Sequence, residues 1–318
     1  MEEFFAKLWG SIVGRPYVWL FLFGYIVCAT WQIGAWRMLA FIPAGYLIAF
    51  ASEYASITTG FPYGWYVYRY DALANDLLIG SPGVPFFDSI SFVFMCFAGW
   101  VMAYALLGPM RRKPGSFRYD IRWAGETKER RRPKVIALGA FLTMWLDVVI
   151  DPIAHRGDEW FLGLIYNYGK AKIEEGGAAI GPTYFDIALT NFGGWFLTAL
   201  VIITAYALID AAFDRRRARK LEQGVELKPA RHGDGAPMAG LCGTAVYFGV
   251  LLFGLFVTTM LAVQRFDAGN TDGGWNMILL LACGIALHAP FAIWFVLRVR
   301  RIARRTPDAA AAAGASGV

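Results

Sequence analysis

The sequence predicts an all-α integral membrane protein, about seven transmembrane helices in one bundle, with the N-terminus outside and the C-terminus cytoplasmic. Three observations carry that expectation. Of 318 residues, 57% are hydrophobic and only 17% charged, a composition that excludes a disordered chain and argues against an ordinary soluble domain. Seven apolar runs approach the ~20 residues that a bilayer crossing needs. Finally, 23 of the 30 Lys and Arg fall in, or at the rims of, the connections after the first, third, fifth and seventh runs. By the positive-inside rule those connections are cytoplasmic, and a missed or extra helix would spoil the alternation.

The predicted spans lie near 17–35, 38–56, 88–108, 134–153, 184–209, 238–263 and 275–298. The first two are joined by almost nothing and make a tight hairpin. The first run is long enough to span and is preceded by Glu2 and Glu3, so it does not read as a cleavable signal. Residues 1–307 therefore form one polytopic domain, and the Ala/Gly-rich stretch 308–318 is expected to be a disordered tail. The formal charge of +6 has a topological explanation. Arg130-Arg131-Arg132 and Arg215-Arg216-Arg217 are read as cytoplasmic anchors touching anionic lipid, and no nucleic-acid partner is expected. The four cysteines, Cys28, Cys96, Cys242 and Cys283, sit in apolar runs without a CxxC and read as small core residues.

The fourth span carries the strongest chemical signal. Asp147 and Asp151 are one helical turn apart, so both carboxyls share a helix face, and Pro152 loosens the helix directly after them. Intramembrane acids are costly and are by default functional. Two carboxyls this close titrate as a coupled unit. Glu53 is the single charge of the second span and reads either as a site acid or as an interhelical hydrogen bond. Asp88 opens the third span before Ser89 and is expected to be an N-cap. Asp186, three residues after Thr183, has the capping-box spacing. Asn191 either joins the site or bridges helices, with Gly193 and Gly194 permitting close packing. His155 is either an interfacial proton relay or solvated; His288 reads as a core histidine, and His232 carries no signal. The aromatic stretch 61–70 is either an interfacial belt or a π-rich wall for a flat apolar ligand. On the predicted topology all the candidate acids fall in the outer half of the membrane. No P-loop, GxGxxG, HExxH or zinc-spaced His/Cys cluster is present, so nucleotide, flavin and structural-metal readings have no support.

Three separated motifs then coincide. Phe61-Pro62-Tyr63-Gly64-Trp65-Tyr66-Val67-Tyr68, Leu146-Asp147-Val148-Val149-Ile150-Asp151-Pro152-Ile153 with Trp160 downstream, and Asn191-Phe192-Gly193-Gly194-Trp195 together resemble the membrane carotenoid-biosynthesis hydratases. These include the γ-carotene 1',2'-hydratases and the bisanhydrobacterioruberin hydratases. The similarity covers roughly residues 45–200. It implies cofactor-free addition of water to a terminal C1=C2 bond of a lipophilic carotenoid, leaving a tertiary alcohol, in a prokaryotic cell membrane. Its implied partners are the lipid bilayer and other membrane enzymes of the pathway. The resemblance carries Glu53, Gly64, Tyr66, Asp147, Asp151, Pro152, Trp160, Asn191 and Trp195 onto this chain as site candidates. Together with the residues read directly, the catalytic candidates are Asp147, Asp151 and Glu53, with His155 as a relay, and the substrate-binding candidates are Tyr63, Gly64, Tyr66, Tyr68, Trp160, Asn191 and Trp195. No metal ligand is expected. The segment 161–183 and the residues Tyr184-Phe185-Asp186-Ile187-Ala188 depart from the family pattern, which bears on the substrate more than on the chemistry. Two other readings stand beside this one. A membrane prenyltransferase would use Asp147/Asp151 and Asp210/Asp214 as magnesium motifs, and a proton-coupled transporter would also use intramembrane acids.

Overall fold

The structure is a computed structural model describing residues 1–124, 126–155, 165–168, 181–225 and 238–304. Eight helices account for most of the described chain. They are α1 (Glu2–Gly14), α2 (Pro16–Ile33), α3 (Ala35–Thr59), α4 (Phe86–Leu107), α5 (Pro133–Ala154), α6 (Leu189–Glu222), α7 (Cys242–Asp267) and α8 (Thr271–Arg304). Helices α2 to α8 are the seven that are long and apolar enough to cross a membrane. The fold is thus the expected all-α membrane bundle.

Helix α4 is its centre. Its apolar window is 89% buried, against 17% for α8 at the periphery. It packs against α3, α5 and α7, while α6 closes the bundle against α3 and α5. Small residues set the α4–α5 spacing: a Cβ on Gly99 would fall 2.6 Å from the Gly139 carbonyl, and one on Gly139 would fall 3.0 Å from the Trp100 Cα.

Most boundaries follow the apolar runs, with three differences. Helix α1 precedes the first span and packs on the connection between α3 and α4: the Leu77 N–H donates to Ser11 Oγ at 2.8 Å and Lys7 donates to the Ala74 carbonyl at 3.0 Å. Residues 184–188 do not begin a helix. Strands β7 (Thr183–Tyr184) and β8 (Ile187–Ala188) pair there as a hairpin, and α6 starts only at Leu189. Asp186 consequently is not part of a capping box. It sits in the hairpin turn at φ 69°, a left-handed conformation that a short polar side chain tolerates. The third difference lies at the basic end. Arg130 is buried and donates to Asp210 at 2.5 and 2.9 Å. Arg37 reaches Asp210 at 2.7 Å and Asp214 at 2.5 Å, and Arg131 bridges the same two acids at 3.0 and 2.6 Å. This cluster fastens α3, α6 and the loop before α5 together, and Arg130 is held inside it instead of facing lipid.

The remaining strands are short pairs in the connections. Strands β2 (Leu78–Ile79) and β3 (Val84–Pro85) lead into α4, and β4 (Met110–Arg112) and β5 (Ile121–Trp123) lie between α4 and α5. Strands β1 (Tyr66–Tyr68) and β6 (Tyr166–Tyr168) pair antiparallel, with Tyr66 opposite Tyr168 and Tyr68 opposite Tyr166. Trp160 and the 308–318 tail lie outside the described residues.

Candidate active site

Strand alternation builds the roof of the site. Side chains two apart share a face, so Tyr66, Tyr68, Tyr166 and Tyr168 all point inward and are buried, while Val67 and Asn167 point out. Burial drives the four hydroxyls well above the ordinary tyrosine range, reinforced by the carboxyls beneath them. They are neutral hydroxyl donors at any physiological pH.

Below this roof the helices deliver four acids. Asp147 and Asp151 come from the end of α5 and are buried, and Pro152 leaves the helix intact for only two more residues. Asn191, in the first turn of α6, donates from its single amide nitrogen to both, to Asp147 Oδ2 at 3.1 Å and to Asp151 Oδ2. Glu53, from α3, accepts from Tyr66 and, at 3.0 Å, from Tyr68. Asp88 does not cap α4, as its place in the sequence predicts. Instead Pro85 is the N-cap residue, no side chain caps the helix, and Asp88 inside the first turn bonds Tyr68 Oη at 2.6 Å. The helix is capped three residues earlier than the polar signal suggests, at Pro85 instead of Asp88, which turns Asp88 into the site. Among the described residues none of these four acids forms an ion pair, in contrast to Asp210 and Asp214.

Two of the sequence motifs meet. Gly60 ends α3 in a left-handed conformation at φ 81°, and the turn after it rests on α6. The Tyr63 N–H donates to Ser56 Oγ at 2.9 Å, and the Tyr63 hydroxyl donates to Thr198 Oγ1 at 2.9 Å. A Cβ on Gly194 would lie 2.5 Å from the Tyr63 ring and 2.9 Å from the Pro62 carbonyl, so only glycine permits this approach. Gly193 faces open space. Trp195 stacks on Phe92 with centroids 4.0 Å apart. Gly64, at φ 96°, packs on Thr190 and shapes the loop; it lines neither of the two cavities of the site. His155 caps α5 behind the roof, its ring 5.6 and 5.9 Å from those of Tyr166 and Tyr168.

Two cavities adjoin. One is apolar, about 80 Å³, and lies between α2, α4, α5 and α7, with Tyr17, Phe21, Phe94, Ile150 and Phe253 on its walls. The other is polar and about 20 Å³, enclosed by Glu53, Tyr63, Tyr66, Tyr68, Tyr168 and Asn191. That volume is space for about one water molecule. Asp88, Asp151, Tyr166 and Trp195 line both.

Sequence reasoning thus located Glu53, Asp147, Asp151, Asn191, Tyr63, Tyr66, Tyr68 and Trp195, which the structure brings together. It missed Asp88, Tyr166 and Tyr168. The signal for the tyrosines was legible: Tyr166-Asn167-Tyr168 repeats the alternation of Tyr66-Val67-Tyr68.

A seven-helix membrane bundle with an enclosed acid cluster opening on an apolar cavity is the class that fold and site define. The chain belongs to the carotenoid biosynthesis protein family, whose model matches residues 14–232, and it therefore has a role in carotenoid biosynthesis. The matched region contains every polar residue of the site; helix α7, with Val250 and Phe253 on the apolar wall, lies beyond it. No curated protein matches the chain, and no solved structure does.

Proposed function

We propose that this protein is a carotenoid hydratase, adding water across the terminal C1=C2 bond of an acyclic end group to give a tertiary alcohol. The observation that carries the reading is the junction of an apolar cavity with a one-water polar chamber at a cluster of carboxyls. Hydration of a trisubstituted alkene needs a proton delivered to C2, a brief tertiary cation, and water delivered to C1. A buried carboxylic acid suits the first step, and a neighbouring carboxylate that orients and deprotonates water suits the last. Asp147 and Asp151, aligned by Asn191, together with Glu53 supply such groups. Trp195 and the tyrosine faces can stabilise the cation. The polyene remains among apolar side chains while its end meets the chamber. The reaction has no net redox change and no leaving group, so the proton donor, the water and the base complete its chemistry. The substrate is lipophilic, and membrane enzymes that make or use it are natural partners.

The prenyltransferase reading fits less well. Asp210 lies 19 residues beyond Asn191 on α6, about 28 Å along the axis, and both Asp210 and Asp214 are engaged by arginines. The two acid pairs cannot hold one diphosphate. The test is expression in a host that makes lycopene or γ-carotene, followed by pigment mass analysis. A product heavier by one water, with its oxygen drawn from labelled water, is expected. Activity that requires magnesium and a prenyl diphosphate, or oxygen drawn from O₂, would overturn the proposal.

A further inference from the structure

The hydrogen bonds around Glu53 and Asp88 do not balance unless one carboxyl carries a proton. Tyr66 bonds Glu53, Tyr68 bonds Glu53 Oε2 at 3.0 Å, and Tyr68 bonds Asp88 Oδ2 at 2.6 Å. That makes three contacts, leaving aside the 3.4 Å approach of the two hydroxyls. Each phenol contributes one proton, and an ionised carboxylate contributes none. Burial keeps both phenols protonated, so two protons serve three contacts and the third must sit on Glu53 or Asp88. The Asp147/Asp151 pair is different. The amide nitrogen of Asn191 has two protons for its two contacts, one to each carboxyl, and the two carboxyls also bond each other, with Tyr166 on Asp151.

Tyr68 is the only link between Glu53 and Asp88 among these contacts, and it can donate to only one at a time. With the proton on Asp88, Asp88 donates to Tyr68 and Tyr68 to Glu53. With the proton on Glu53, the chain runs the other way. Of the three groups only Asp88 also lines the apolar cavity; Glu53 and Tyr68 face the polar chamber alone.

We infer that Asp88 is the acid that protonates the substrate double bond, recharged from Glu53 through Tyr68, while Asp151 deprotonates the water that it and Asn191 hold in the polar chamber, and Asp147, on the same amide, positions them. The assignment rests on the hydratase reading and divides its roles. The balance closes. The Asp88 O–H bond breaks as the C2–H bond forms, and water adds its oxygen to the C1 cation and loses a proton to Asp151. That proton returns across the chamber to Glu53, and Glu53 restores Asp88 by way of Tyr68. The net change is one water added, with the enzyme unchanged. Asp88 is catalytic in this scheme, and Tyr68 is a relay whose loss leaves the first turnover possible.

The experiment uses the purified full-length chain in detergent with the carotenoid that the wild type hydrates. Asp88→Asn should lower turnover about 100-fold or more, the scale of a lost general acid, and Asp88→Glu should recover part of it. Tyr68→Phe should give a burst of one product per enzyme and then turn over about tenfold or more slowly than in that first cycle. A purely structural defect would slow the first and later turnovers alike. Equal melting temperatures of the variants exclude misfolding, and the glutamate rescue keeps the test decisive if Asp88→Asn is unstable. Wild-type rates in Asp88→Asn, or a Tyr68→Phe enzyme without a burst, would overturn the relay while leaving hydration in place. A wild-type protein that adds no water to any polyene would overturn the hydratase reading, and the relay with it.

Discussion

The two Asp-x-x-x-Asp pairs of this chain should respond oppositely to loss of charge. Asp210 is fully buried and meets Arg37 at 2.7 Å, Arg130 at 2.5 Å and Arg131 at 3.0 Å. In Asp210→Asn, Arg37 and Arg131 would keep only Asp214 and Arg130 would lose its carboxylate, inside a medium that solvates guanidiniums poorly. Removing one partner of a buried ion pair costs about 3–5 kcal/mol, a large fraction of the stability of a typical protein. Asp147 is equally buried, but its charged neighbour is another acid and the amide of Asn191 donates to it. In Asp147→Asn the new side-chain oxygen can still accept that bond, and a like charge is gone. Asp147→Asn should therefore melt at or above the wild-type temperature while losing hydration, the usual trade between activity and stability at a functional site. Thermal unfolding of both variants in the same detergent, followed by tryptophan fluorescence, measures the first effect, and pigment mass measures the second. The reasoning is refuted if Asp210→Asn melts with the wild type, or if Asp147→Asn falls as far as Asp210→Asn.

Gly194→Ala should strongly impair hydration, because its Cβ would displace the Tyr63 turn, whereas Gly193→Ala meets nothing within 4 Å and should be nearly silent; pigment yield compares them. The positive-inside count predicts that, in intact cells lacking the native cysteines, an impermeant thiol reagent labels Lys170→Cys but not Arg118→Cys; the reverse pattern would overturn the proposed orientation. The Arg122 guanidinium, 2.6 Å away, with Ser116 and the Met238 N–H, holds the Asp120 carboxyl well below the usual range. A depressed carboxylate contributes stability that is present above its unfolded value of about 3.9 and is lost as pH falls through the folded one. Protection of the amides near Met238, taken relative to their intrinsic exchange at each pH, should therefore fall below about pH 4, and Asp120→Asn should flatten that dependence.

What the sequence determined by itself is what depends on composition and local spacing. Bilayer thickness sets helix length, so seven apolar runs translate directly into seven helices, and the break at Gly34 falls where the runs nearly touch. The i,i+4 spacing places Asp147 beside Asp151 in any helix, and the alternation of Tyr66 and Tyr68 holds in any strand. Only the tertiary structure decided which local features meet. Asp88 reads as a cap until β1 lays Tyr68 against it, 20 residues away in sequence. Asp210 and Asp147 have the same local pattern, yet one faces Arg37, Arg130 and Arg131 and the other faces an acid and an amide. The sign of the neighbouring charge is a long-range property. It depends on which helix the packing of small residues such as Gly99, Gly139 and Gly194 brings close, and no local window of the sequence contains that information.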